Sequence, residues 1–115
     1  MSTSKQREEI PPGTLEMLIL RTLAHGKPMH GFAIADFILE NSTGVLQVEE
    51  GSLYPALQRM LLKGWVEGEW GKTEENRRAR YYRPTPEGLT QLERELQRYA
   101  RVSRAIATVL QVDAI

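Results

Sequence analysis

The 115-residue sequence predicts a mainly α-helical chain with one small β-hairpin, and three observations carry that expectation. Apolar residues recur at helical spacing in four separate stretches. Between the third and the fourth the period shortens to two, over Trp65–Trp70 and again over Ala79–Arg83. Glycine, proline and hydroxyl side chains fall at the joints between stretches, where helices start and stop.

Residues 1–13 are polar, end in Pro11-Pro12-Gly13 and predict a mobile arm. Thr14 is a suitable N-cap for the first helix, with Leu15, Leu18, Ile19, Thr22 and Leu23 as its apolar stripe. His25-Gly26-Lys27-Pro28 ends it. A second helix is expected from Met29 or His30, carrying Phe32, Ala35, Ile38 and Leu39 inward and closing at Asn41-Ser42-Thr43-Gly44. Val45–Val48 is long enough only for a short edge strand.

The third helix takes Ser52 as N-cap, with Pro55 then in the first turn where its missing N–H costs nothing; a start at Glu50 also fits. Leu53, Leu57, Met60 and Leu61 form its buried stripe, and Gly64 ends it. In the hairpin, Val66, Gly68 and Trp70 share one face, Trp65, Glu67 and Glu69 the other, and Gly71–Arg78 is a charged loop. Thr85-Pro86-Glu87 is a helix start with a capping hydroxyl, proline at the first position and an acid near the positive end of the dipole. Leu89, Leu92, Leu96, Tyr99, Ser103, Ile106 and Leu110 then alternate three and four apart. That seam outreaches the core a small three-helix head can offer, which predicts a dimerisation helix.

Three helices followed by a hairpin is the order of a winged helix-turn-helix, whose third helix enters the major groove of DNA. The expected organisation is an arm over 1–13, a winged helix-turn-helix domain over 14–84 and a C-terminal dimerisation helix over 85–115. Net charge is zero, but its distribution is uneven. Residues 72–83 carry five basic side chains (Lys72, Arg77, Arg78, Arg80, Arg83) against Glu74 and Glu75, and this basic excess falls on the expected wing, where phosphates would be met.

Bulk composition excludes other classes. With 41% hydrophobic and 26% charged residues the chain is globular rather than disordered. There is no cysteine, hence no disulfide or thiolate metal site; no signal-peptide h-region and no bilayer-length apolar run are present, so a cytoplasmic location without membrane attachment is expected. His25 and His30 stand on either side of a Gly-Pro break and make no helical metal pair; His30 is expected to cap the second helix. Glu8-Glu9, Glu49-Glu50 and Glu74-Glu75 are neighbours that point apart, not acid/base partners, and there is no phosphate-cradling glycine loop. Neither an enzyme, a metal nor a cofactor is expected.

Several segments together resemble the PadR family of regulators. Gly13-Thr14-Leu15-Glu16-Met17-Leu18-Ile19-Leu20 resembles its opening helix, and His30-Gly31-Phe32-Ala33-Ile34 a segment where the family typically has His-Gly-Tyr. Glu50-Gly51-Ser52-Leu53-Tyr54-Pro55-Ala56-Leu57 is similar to its recognition-helix signature, and Arg77-Arg78-Ala79-Arg80-Tyr81-Tyr82-Arg83 with Thr85-Pro86-Glu87-Gly88 to its wing strand and last-helix entry. The match runs roughly from residue 13 to 110. The resemblance implies a homodimeric repressor on a double-stranded DNA operator, often released by an aromatic or drug-like effector, with Tyr54 bonding a phosphate. Phe32 and Pro84 depart from the usual Tyr and Leu, and the single C-terminal helix matches the short members, without a larger effector-binding extension.

The residues expected at DNA are Ser52, Tyr54, Gln58, Arg59, Lys63, Arg77 and Arg78. Gln58 and Arg59 suit adenine and guanine edges respectively, the alternative being two solvated helix residues. Ser52 combines a cap with a potential phosphate contact, and Tyr54 could equally pack on the hairpin. Arg77 and Arg78 are the wing-tip cations, while Arg80 and Arg83 are expected to pair with Glu67 or Glu69 across the hairpin. Trp65 and Trp70 are expected in the core, with a slot for an aromatic effector at the dimer interface as the alternative. A protein-binding adaptor on the same fold is the competing function, separable from a DNA binder by salt dependence.

Overall fold

The computed structural model describes residues 7–11 and 13–113. The central element is α1 (Leu15–Leu23), whose Ile19, Leu20, Thr22 and Leu23 are all buried. Leu20 and Met17 lie outside the expected stripe yet are buried, because α1 packs against the next two helices and the last one, not against one layer. Thr22 is accommodated there by donating its hydroxyl to the Leu18 carbonyl at 2.8 Å. Thr14 precedes the helix, but its hydroxyl bonds back to the Pro11 carbonyl at 2.7 Å instead of capping.

Within the expected arm, residues 1–6 and 12 lie outside the described residues. Glu8–Glu9 forms strand β1, paired in parallel with Leu46–Gln47, so this part of the chain is tied to the domain. Met29–His30 is strand β2 instead of the first turn of a helix. The second helix, α2 (Gly31–Asn41), begins one residue later, and the His30 imidazole accepts the Ala33 N–H at 3.3 Å as its cap. The inward face is centred on Ile34 and Ile38, which are buried, whereas Phe32 is 73% exposed and not inward as its sequence position suggested. The short strand β3 (Leu46–Gln47) follows.

The third helix, α3 (Glu50–Leu62), starts at the earlier of the two expected positions. Glu49 is its N-cap residue, which places Ser52 in the first turn and Pro55 inside the helix; neither takes the role the sequence suggested. Leu53, Ala56, Leu57 and Met60 are buried against α1 and α2. Gly64 takes the left-handed conformation after the last turn (φ 76°), as a glycine C-terminal to a helix does.

Strands β4 (Val66–Lys72) and β5 (Arg78–Pro84) form the antiparallel wing, and β2 adds to the free side of β5 to give the sheet order β2-β5-β4. Each is longer than the sequence pattern showed, and the turn is confined to residues 73–77. Thr73 closes it by accepting the Arg77 N–H on its hydroxyl at 3.2 Å, and Asn76 takes φ 65°. The wing root is sealed by Val66 and Tyr82 in the core. Burial holds the Tyr82 hydroxyl above its ordinary pKa, opposed by the nearby Arg80 charge and reinforced by Tyr54, so it remains neutral.

The last helix, α4 (Pro86–Leu110), begins as the sequence predicts, with Thr85 capping the Gly88 N–H at 3.0 Å and Pro86 in the first turn. Its 25 residues extend roughly 37 Å. None of the helices among the described residues is long and apolar enough to cross a membrane. The observed architecture is mainly α with a small β wing.

Candidate nucleic-acid interface

The burial of α3 sorts its side chains into an inner face and three outer ones. Gly51, Pro55, Gln58 and Leu62 recur at i, i+4, i+7 and i+11 and are all exposed, forming the line opposite the core. Tyr54 lies on the flank toward the wing, and Ser52, Arg59 and Lys63 on the flank toward α1.

The α1 flank carries a feature that local sequence patterning misses. Arg59 bonds Glu16 at 2.9 Å and Lys63 approaches the same carboxylate at 3.7 Å. Both cations, expected to meet DNA, are held sideways by an acid 43 residues away in sequence for Arg59. Such exposed pairs contribute at most about 1 kcal/mol to stability, so phosphates can compete for them. Lys63 also covers the Trp65 ring at 4.5 Å, and Trp65 packs partly buried on the core as expected. Replacing Glu16 by Gln should therefore leave stability nearly unchanged. It should tighten non-specific duplex binding and steepen its salt dependence by up to about two phosphate contacts. An unchanged salt slope in a duplex titration would show that Arg59 and Lys63 stay away from the backbone.

On the other flank the wing faces the start of α2 and Tyr54 of α3 across a cleft of about 790 Å³, bordered by Phe32, Tyr54, Trp70, Arg77, Arg78 and Arg80 among others. Tyr54 is half exposed and lies over α2, where a Cβ at Gly31 would come within 2.7 Å of its hydroxyl oxygen. Glycine at position 31 is what allows the ring to sit there. Trp70 is 57% exposed instead of entering the core, because it stands on the distal half of the hairpin, where it borders the cleft with Phe32 and Tyr54. Its ring carries the Arg78 guanidinium at 4.4 Å, which fixes a positive charge on the wing with no acidic partner among the described residues. Arg77 is exposed in the wing turn.

The register decides the remaining arginines. Glu67 stands opposite Arg83, and the two bond at 2.9 Å. Arg80 stands opposite Trp70, on the face away from Glu67 and Glu69, so the expected pairing of Arg80 with these acids does not form. Its Nε is buried without a hydrogen-bond partner among the described residues, beside the Gly68 backbone where a Cβ would come within 2.5 Å. Ser52 is exposed in the first turn of α3, near Glu49 and Glu50, whose charges favour the helix N-terminus and disfavour a phosphate there.

The seam on α4 divides sharply. Leu92 is buried in the core, whereas Leu89, Leu96, Tyr99, Ile106 and Leu110 are exposed and Ser103 is intermediate. Ser103 donates to the Ala100 carbonyl at 3.3 Å. Val102, Ala105 and Val109, which the heptad reading missed, widen this surface and form an apolar groove with Ile106 and Leu110. Their spacing on the neighbouring helical face was the available signal.

A three-helix head with a β wing, an exposed third helix and arginines on the wing defines a winged-helix protein. Comparison with known proteins carries this further. The profile of the transcriptional regulator PadR-like family matches residues 19–94. A PadR-like transcriptional regulator from Bacillus cereus is similar in structure, with 30% identity and a TM-score of 0.71, over 88% of this chain and 95% of that one. A transcriptional regulator from Clostridium thermocellum gives a TM-score of 0.76 at 25% identity, over 84% of this chain and 92% of its own. Bacillus subtilis PadR, solved in complex with operator DNA, shares the fold (TM-score 0.63, 19% identity, 72% of this chain and 47% of that one). The chain belongs to the PadR-like family of transcriptional regulators.

Proposed function

We propose that the protein is a cytoplasmic, homodimeric, sequence-specific DNA-binding repressor. Two chains pair through α4 and set their α3 helices into successive major grooves of a pseudo-palindromic operator, with half-site centres about 34 to 36 Å apart. Gln58 reads a base edge, Arg77 and Arg78 hold the sugar-phosphate backbone, and Tyr54 donates to a phosphate. Occupancy of the operator excludes polymerase. The observation that carries the reading is the exposed outer line of α3 on the same molecule as an arginine-bearing wing, with Tyr54 of α3 and Arg77, Arg78 and Arg80 of the wing bordering one cleft. The operator complex formed by Bacillus subtilis PadR, which has the same fold, supports DNA as the ligand.

The test is the salt dependence of duplex binding. Arg77→Ala and Arg78→Ala should each weaken binding on every sequence alike and lower the salt slope by about one. An unaltered slope in both variants would remove the wing from the interface.

A small aromatic effector is a second role supported by the same cleft, since Phe32, Tyr54 and Trp70 line it beside guanidinium groups. This differs from the dimer-interface slot suggested by sequence. A flat aromatic anion held there would compete with the DNA backbone. Fluorescence of the wild type should be quenched by such a ligand and that of Trp70→Phe should not; equal quenching in both would place the ligand elsewhere.

A further inference from the structure

The line of α3 that points away from the core holds a single hydrogen-bonding side chain. Gly51, Pro55, Gln58 and Leu62 are exposed, with Leu62 at 79% the most exposed large apolar residue of the helix. The flanking groups are engaged elsewhere, Tyr54 over Gly31 and Arg59 and Lys63 on Glu16. A guanine edge calls for a positive double donor, and Arg59 and Lys63 stand on the α1 flank of the helix, off this outer line. Gly51 is not required by the fold, because a side chain there would meet nothing within 4 Å. What it provides is room for a base edge to approach the backbone.

We infer that this line selects A·T pairs through the 5-methyl groups of thymine. Gln58 bonds N6 and N7 of an adenine, while Pro55 and Leu62 rest on thymine methyls to either side of it. From Pro55 to Leu62 the helix rises roughly 10 Å, about three base-pair steps, so the three contacts fall within one short half-site core. The inference rests on α3 being the groove-reading helix and adds what it reads. Leu62 is a specificity-determining residue: it makes no contact that the fold depends on, and its exposure is otherwise a cost in water.

The test uses the full-length chain and a duplex selected by it from a random 30-base-pair pool. The selected half-sites should contain A·T pairs at their core. Replacing thymine by deoxyuridine one position at a time removes only the methyl. At two positions per half-site this should weaken binding about fourfold, the factor expected for one buried methyl-sized group. In Leu62→Ala the loss at one of those positions should disappear while the other remains. Specific binding that is indifferent to deoxyuridine everywhere would overturn methyl reading and leave the DNA-binding proposal standing. Failure of the pool to yield any preferred sequence would overturn both.

Discussion

Replacing Leu96 and Ile106 together by aspartate should convert the protein into folded monomers and reduce operator affinity on the order of 100-fold or more. Both side chains are exposed on α4 and contribute little to the head, whose core is built from α1, α2, α3, the wing root and Leu92 of α4. Leu92, the seam residue that does belong to that core, is untouched. The change therefore places two charges in the surface proposed to join two chains, where an unpaired buried carboxylate is not tolerated. A monomer must bind each half-site alone and loses the effective concentration that linkage supplies, commonly worth 100- to 10,000-fold. Light scattering gives the mass, circular dichroism the fold and a duplex titration the affinity. A variant that remains dimeric would show that chains associate through another surface.

The second large effect is expected at Gly88, in the first turn of α4. A Cβ there would lie 2.0 Å from the Trp65 carbonyl oxygen and 2.9 Å from its carbon, both backbone atoms. The same carbonyl accepts the Thr85 N–H at 3.0 Å, and the Thr85 hydroxyl donates to the Gly64 carbonyl at 2.5 Å. The start of α4 is thus stitched to the turn joining α3 to the wing, and no side-chain rotation relieves the clash. Gly88→Ala should cost about 3 kcal/mol. For a domain of this size the melting temperature should then fall by roughly 10 to 15 °C. Because this joint also fixes the angle between the winged-helix head and α4, the surviving folded fraction should, if the proposed function holds, bind an operator of fixed half-site spacing less well. Calorimetry checks the first part; a shift of under about 2 °C would mean that the joint is soft.

Elements with a complete local signature were legible in the sequence. Thr85-Pro86 announced α4, Gly64 the end of α3, and the alternation through Trp70 the wing. His30 was legible as a cap because its surroundings made a helix start. The two-residue strands at Glu8–Glu9 and Met29–His30 were not, since so short a segment shows no period and its partner lies far along the chain. Missing β2 put the start of α2 a residue early, and the apolar pattern of α2, with Phe32 and Ile34 both apolar, gave no local signal that Ile34 and not Phe32 faces the core. At the candidate interface, Gln58, Arg77 and Arg78 were named from helix phase and charge, and all three are exposed. The engagement of Arg59 and Lys63 by Glu16, and the platform that Trp70 makes for Arg78, depend on tertiary geometry and leave no local trace.

The most direct test of the DNA-binding proposal is a mobility-shift titration of the purified protein on a selected operator, with excess competitor DNA at two salt concentrations. The expected result is one discrete complex containing two chains, resistant to competitor and weakened steeply by salt. Absence of any specific complex from protein shown to be folded and dimeric would contradict the account and favour an adaptor that binds protein through the same face.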